Sequence, residues 1–304
     1  KTRMFGGDAI EIVLKGDYFD QTLAAAQAFC AEQGAQFLSP FDAPDVIEGQ
    51  ATVGMEMLAQ LGRAPDLVVL PVGGGGLSAG VTKLLATQAP DTRFAFAEPL
   101  GGASLKAALQ EGAPVALPAV DSFVDGAAVA RIGALPFEAL QRFTPADVYL
   151  APEDRICRTM LEMLNTEGVV LEPAGALALD VLGDLGDLSG KTVVAVCSGG
   201  NFDFERLPEV KERAQRFQGV KKYFVLRMPQ RPGALRDFLD LLGPNDDIAR
   251  FEYLKKSARN FGSVLIGIET SDPANLITLM ARLDRSGFAY RDITNDGILS
   301  ELLV

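Results

Sequence analysis

Apolar positions along the chain change period several times, and each change predicts an element. Residues 20–33 (DQTLAAAQAFCAEQ) put Leu23, Ala26, Phe29 and Cys30 at helical spacing, and Gln50 to Gln60 is a second helical stretch. The continuous apolar run from Asp66 to Val72 then reads as a strand buried on both faces of a parallel sheet. It stops at four glycines, after which a helix is predicted over Leu77–Leu85. Short strands are expected at Thr92–Ala97, Val148–Ala151 and Lys191–Val196, with helices around 104–111, 153–165 and 174–183. Strands alternating with helices imply an α/β unit built on a parallel sheet.

After about residue 206 the pattern changes. ERLPEVKERAQRFQG reads as a charged helical connector. Beyond it the chain predicts strand Tyr223–Met228, helix Pro232–Leu242, strand Ile248–Lys255, strand Gly262–Glu269, helix Pro273–Ser286 and strand Ala289–Ile293. That βαββαβ order is the ferredoxin-like split βαβ arrangement, with Pro232 expected at the first helical position. The division is therefore 1–206, a connector at 207–221, and 222–304.

Composition narrows the function. With 304 residues, 48% hydrophobic and 22% charged, the chain can bury a large core and divide into two or more units. A formal charge of −12 without a Lys/Arg-rich tract argues against nucleic acid as a partner. No run approaches the roughly 18 apolar residues that cross a bilayer, and KTRMFGGDAIEI lacks the order of a signal peptide, so a cytoplasmic location is expected. The three cysteines, Cys30, Cys157 and Cys197, lie far apart and read as reduced thiols. There is no histidine, which removes the usual general base and every His-dependent triad or metal site; proton chemistry falls to lysine, a carboxylate or a cofactor. The chain begins without methionine, in what reads as the middle of a fold, and is expected to be a fragment.

The sharpest local signal is PVGGGGL, Pro71 to Leu77. Four glycines between a buried strand and a helix let successive N–H groups turn toward one point, with the positive end of the helix dipole behind them. Such a nest suits a phosphate. It is neither GxGxxG nor a P-loop, so dinucleotides and nucleoside triphosphates are disfavoured. A second glycine turn, Cys197-Ser-Gly-Gly-Asn201, follows the strand before it; alone, it serves equally well as a capped strand end. Together, two strand-end loops, one for a phosphate and one offering a hydroxyl, can hold the two ends of one flat cofactor.

PVGGGGL, FAEPLGGASLKAAL, FVDGAAVARIG, LEPAGALAL and CSGGN, with FLSPFDAPDVIEGQAT upstream, occur in the order and approximate spacing of the fold-type-II pyridoxal-phosphate (PLP) enzymes. Over residues 1–205 the chain most resembles the threonine dehydratases among them. The resemblance implies a tryptophan synthase β-like parallel-sheet domain in which Gly73, Gly74, Gly75, Gly76 and Leu77 cradle the PLP phosphate and Ser198 hydrogen-bonds the pyridine nitrogen. A neutral hydroxyl there makes the ring a weaker electron sink and favours β-elimination. Glu172 and Asp125 fall in family motifs, where each could also pair with backbone or brace a turn. The implied reaction is loss of water from L-threonine, followed by hydrolysis of the enamine product to 2-oxobutanoate and ammonia.

The family's Schiff-base lysine stands in an S-x-K-x-R-G-A type motif upstream of the glycine loop, and a GNH-type segment carries an asparagine that contacts the ring. Neither occurs here, so no catalytic residue is assigned and the chain alone is expected to be inactive. Ser104-Leu-Lys106 matches S-x-K only superficially: it lies downstream, inside a helical pattern. Some relatives bind a divalent cation just after the strand that follows the glycine loop. Here only Glu98 could supply a carboxylate, so no metal is expected.

The segment from Tyr223 to Glu269 resembles the ACT-like regulatory domain of biosynthetic threonine dehydratases, above all in its R-P-G-A turn. That resemblance implies an amino-acid effector, isoleucine, near Arg231, Pro232, Gly233, Arg250 and Phe251, and a homo-oligomer, tetramers being the family habit. A purely structural dimerisation module is the alternative for this domain. A dehydratase acting on both serine and threonine, or a non-catalytic amino-acid-binding protein, are the alternatives for the whole.

Overall fold

The computed structural model describes residues 2–16, 19–254, 261–296 and 299. In chain order the elements are α1 (Thr2–Gly6), α2 (Phe19–Gln33), α3 (Pro44–Leu61), β1 (Leu67–Pro71), α4 (Gly76–Gln88), β2 (Arg93–Pro99), α5 (Ser104–Glu111), α6 (Ala134–Leu140), β3 (Val148–Ala151), α7 (Glu153–Glu162), α8 (Pro173–Asp180), β4 (Val193–Ala195) and α9 (Leu207–Phe217), followed by β5 (Lys221–Pro229), α10 (Ala234–Leu239), β6 (Asp246–Leu254), β7 (Phe261–Thr270), α11 (Pro273–Ser286) and β8 (Ala289–Asp292). The chain packs into two compact units that linear order does not show: 1–153 with 173–199, and 154–172 with 200–304.

The first unit is an α/β layer structure. Its described strands form one parallel sheet in the order β3-β2-β1-β4. From Leu67 to Val72 the apolar run is fully buried, with Asp66 exposed before it, because β1 lies between β2 and β4 with helices against it. Val68, Leu70, Leu85, Phe96, Leu105 and Leu140 are completely buried in one cluster, and the Phe143 ring stands edge-on to Phe96 with centroids 4.8 Å apart. The glycines let α3 and α4 approach closely: a Cβ on Gly80 would lie 2.3 Å from the Ile47 carbonyl oxygen.

The second unit contains the expected βαββαβ fold. Its antiparallel sheet has the order β6-β7-β5-β8, which is the ferredoxin-like arrangement, and Phe224, Leu226, Phe238, Ile266, Leu276 and Leu283 fill its core. Helices α7 and α9 belong to this unit as well.

Three expectations need correction. Pro232 is not at the first helical position: Gly233, at φ +85°, is the N-cap of α10, which starts at Ala234. A left-handed residue cannot lie inside a right-handed helix, so Pro232 belongs to the preceding turn. The helix expected to reach Leu242 ends at Leu239, with the Asp240 N–H making its last α-helical bond, to Arg236, and closes in tighter turns from Leu241 to Phe238 and from Leu242 to Leu239. The helix expected over 153–165 leaves α geometry at Glu162 and continues as a π turn, Met163–Glu167, closed by Gly168 at φ +67°. Helix α6 was not legible in the sequence. It has seven residues, and its first N–H groups, on Ala134 and Leu135, donate to the Asp42 carboxylate at 3.0 and 2.9 Å. The chain distance to that capping carboxylate hides it from any local pattern.

Candidate cofactor site

The chain runs outward from β1 to β2 and β3, then returns to the opposite side of β1 as β4. Between β1 and β4 the sheet therefore reverses its winding, and the crevice at the carboxyl ends of such strands is where open α/β sheets bind ligands. The loops leaving these two strands are the two glycine turns. Val69 pairs with Ala195, and the Val196 N–H donates to the Val69 carbonyl at 3.0 Å. Ser198 lies in the turn that follows β4, the neighbour of the strand that ends at the glycine loop.

The loop's carbonyls are each tied back to protein. The Ser104 hydroxyl donates to the Gly73 carbonyl at 3.4 Å, the Gly133 N–H to Gly74 at 3.1 Å, and the Ala79 N–H to Gly75 at 2.9 Å. With the carbonyls turned into the protein, the N–H groups of the same peptides turn the other way. Gly75, at φ +90°, caps α4 without any side-chain hydrogen bond, so the first N–H groups of that helix are left for a ligand. No side chain could replace these glycines without displacing a neighbour. A Cβ on Gly73 would lie 2.8 Å from the Ala127 α-carbon, on Gly74 2.2 Å from the Phe41 ring, and on Gly75 2.8 Å from Pro136. FVDGAAVARIG thus builds the outer wall of the nest, and FLSPFDAP brings Phe41 against it. The Asp125 carboxylate accepts the Gly126 N–H at 2.9 Å, which braces that wall's turn.

Ser198 is exposed as a residue, and its hydroxyl donates to the Ala174 carbonyl at 3.4 Å. Gly175 and Gly199 make the close approach that holds this turn: a Cβ on Gly175 would lie 2.0 Å from the Gly199 oxygen. Glu172 accepts the Asn201 N–H at 3.1 Å, so its carboxylate orders the CSGGN backbone. A phosphate-sized anion with a flat ring beside it fits this donor set: an uncapped helix start and glycine nest at one strand end, a hydroxyl at the next.

Glu98 is completely buried at the end of β2. It accepts the Leu105 N–H at 2.7 Å and the Lys106 N–H at 3.0 Å, capping α5. Its carboxylate is occupied by a helix terminus, and among the described residues no three His, Cys, Asp or Glu side chains gather to hold a metal ion. Lys106 donates from Nζ to the Val148 carbonyl at 3.0 Å, a structural role on α5. Burial pushes the Glu98 carboxyl up to about 7, against the pull of those two N–H groups. A raised carboxyl in the folded state means stability is greatest below the unfolded value of 4.5 and is lost as pH rises through about 7, by about 3 kcal/mol. Denaturant midpoints from pH 4.5 to 8 should therefore fall more steeply for the native protein than for Glu98→Gln, which cannot ionise.

The residues expected near an effector do not converge within one chain. Arg231 pairs with Asp237 on α10, whereas Arg250 pairs with Glu252 at 2.7 Å along β6. Phe251 is level with Ile266 and hence with Phe224, while the Arg231–Gly233 turn lies beyond Pro229, five residues further along β5. At about 3.3 Å per residue that separates them by roughly 17 Å. Composition gave no sign of the buried ion pair of this unit, Lys221 with Glu212 at 2.6 Å, since both look like surface charges in the sequence.

Residues 1–199 match the family of pyridoxal-phosphate dependent enzymes, and residues 212–303 match the C-terminal regulatory domain of threonine dehydratase. The chain belongs to the PLP-dependent enzyme family. Two curated proteins named L-threonine dehydratase biosynthetic IlvA align with the whole chain: that of Halalkalibacterium halodurans at 41% identity over 74% of its length, and that of Bacillus subtilis at 43% over 72%. Among solved structures, the processed form of threonine deaminase isoform 2 from Solanum lycopersicum is 36% identical with a TM-score of 0.64, over 70% of this chain and 61% of that one. The chain thus spans about three-quarters of its curated relatives and less than two-thirds of that solved chain. PLP is the cofactor of that family.

Proposed function

We propose that this protein is the PLP-dependent enzyme that deaminates L-threonine, the first step toward isoleucine: water is eliminated across the α- and β-carbons, and hydrolysis of the enamine takes a water back and releases 2-oxobutanoate and ammonia. The observation that carries the reading is the pair of turns at the sheet's switch point: a glycine nest after β1 and a serine-bearing turn after β4, the strand beside it. Gly73, Gly74, Gly75, Gly76 and Leu77 would hold the phosphate through backbone N–H groups, and Ser198 would meet the ring nitrogen. Bound PLP supplies the electron sink that labilises bonds at the substrate α-carbon. Glu172 and Asp125 act on backbone, as positioning residues. None of the chain's lysines stands in an S-x-K-x-R-G-A pattern, so turnover is expected from polypeptide that includes such a lysine.

The division into a catalytic domain (1–206), connector (207–221) and regulatory domain (222–304) belongs to the same proposal. It assigns isoleucine as effector, a homotetramer as assembly, and the cytoplasm as location. The match to a threonine dehydratase regulatory domain supports the effector, and the lack of any described helix long and apolar enough to cross a membrane accords with the location.

The test is intact mass and absorbance with and without borohydride, followed by threonine and serine turnover. Ser198→Ala should lower turnover about tenfold, the worth of one hydrogen bond near a charged centre, with the fold intact by circular dichroism. Serine consumed as fast as threonine would point to the broader dehydratase. Failure of the polypeptide carrying the upstream lysine to retain PLP would overturn the reading.

A further inference from the structure

The segment between α2 and α3 reaches the glycine nest by two routes. Phe41 presses on it directly: a Cβ on Gly74 would lie 2.2 Å from the Phe41 ring, and one on Gly76 would lie 3.0 Å from the Phe41 carbonyl oxygen. Asp42, the next residue, acts on α6 instead. Its Oδ2 accepts the Ala134 N–H at 3.0 Å and its Oδ1 the Leu135 N–H at 2.9 Å, which caps that helix. The Asp42 backbone is itself held, its N–H donating to the Ser39 hydroxyl at 2.9 Å.

Helix α6 returns to the nest. Gly133, its N-cap residue, donates from N–H to the Gly74 carbonyl at 3.1 Å, and a Cβ on Gly75 would meet Pro136 of its first turn at 2.8 Å. The contacts therefore close a ring: Phe41 to Gly74, Asp42 to α6, and Gly133 back to Gly74. The ring is closely packed at Gly133, where a Cβ would lie 3.0 Å from both Cβ and Cγ of Asp42.

A peptide unit is planar and trans, so its C=O and N–H point in opposite directions. Fixing the Gly74 carbonyl toward Gly133 therefore aims the Gly75 N–H away from it. Helix α6 has seven residues, well short of the roughly 12–15 that make a helix even marginally stable alone in water, so the place of Gly133 depends on what secures this helix start. Burial of Pro136, Phe137 and Leu140 fixes one face of α6 but leaves its first N–H groups to be satisfied. The Asp42 carboxylate accepts two of them.

We propose that Asp42 is a positioning residue for the cofactor phosphate: through the α6 cap and the Gly133–Gly74 hydrogen bond it orients the Gly75 N–H of the glycine nest. This rests on the proposed role of Gly73 to Leu77 in holding that phosphate. Asp42 acts through Gly133 and not on the phosphate, which a carboxylate would repel.

The test uses the full-length enzyme with its upstream lysine, freed of cofactor and titrated by absorbance with PLP and, separately, with pyridoxal, which has the ring and lacks the phosphate. Native enzyme should prefer PLP. Asp42→Ala should weaken PLP at least tenfold and leave pyridoxal within twofold, with circular dichroism unchanged. Asp42→Asn, which keeps one oxygen acceptor for the helix start, should stay within about threefold of native for both ligands. Should Asp42→Ala fail to fold, Asp42→Ser, whose hydroxyl is too short to take both N–H groups, repeats the contrast. The control is Asp272→Ala, which removes the carboxylate that accepts the Ala274 N–H at 2.9 Å and caps α11 of the βαββαβ fold; PLP binding should stay within twofold. If Asp42→Ala weakens both ligands alike, or neither, Asp42 serves only the stability of α6 and the proposal is overturned. A native enzyme that binds pyridoxal as tightly as PLP gives a different failure: the nest then holds no phosphate, and the proposal falls with that reading.

Discussion

Gly175→Ala is expected to cost about 3 kcal/mol or more and to weaken PLP binding at least tenfold. The added methyl would sit 2.0 Å from the Gly199 oxygen and 2.9–3.0 Å from the Gly199 carbon and nitrogen. These are backbone atoms, so no rotamer change relieves the overlap, and either α8 or the CSGGN turn must move by more than an ångström. Overpacking of that kind costs roughly 1–3 kcal/mol and sometimes more. Helix propensity works the other way, since alanine is favoured over glycine inside a helix by up to about 1 kcal/mol; a net loss therefore reports the collision alone. In a chain of this size it should lower the melting temperature by on the order of 10 °C. Differential scanning calorimetry and a PLP titration read both effects, and a melting temperature within 2 °C of native would show that the approach of α8 to the turn is not tight.

Gly80→Ala should be comparably damaging at the other end of the site. Its methyl would meet the Ile47 oxygen at 2.3 Å and the Ala51 nitrogen at 2.7 Å, forcing α4 away from α3. Because α4 starts at the glycine nest, a shift of its axis re-aims the N–H groups that would hold the phosphate. The expected loss is again about 3 kcal/mol, with phosphate and PLP affinity falling together. Gly49→Ala, on α3 itself, is the matched control: nothing lies within 4 Å of the added methyl, so the same substitution should stabilise by about 0.5–1 kcal/mol. Urea midpoints of the three proteins separate the two cases, and equal effects at Gly80 and Gly49 would sink the argument from close approach.

The strands and most of the helices were legible in the sequence because their signals are local. A continuous apolar run before four glycines encodes β1 and the start of α4 wherever it stands, and alternating periods encode the βαββαβ order of the second unit. The motifs that mark the nest and the Ser198 turn were legible for the same reason: glycine is required where backbone meets backbone, and that requirement is written into a few adjacent letters. Glu98 looked like a lone candidate ligand, and Gly233 like an interior residue behind a helix-starting proline; in each case the sequence shows the residue type and not what it faces.

Only the tertiary structure decided the rest. That β4 returns to the far side of β1, bringing the two turns together, depends on strand order, which no window of sequence contains. That Asp42 caps α6 across 92 positions, that Asp154 of α7 meets Arg213 of α9, and that Lys221 and Glu212 meet away from water are likewise contacts between distant segments. A charged residue in a sequence carries a strong prior for the surface. Whether it is instead buried against a partner is settled by packing, whose energy belongs to pairs of segments and to neither one alone.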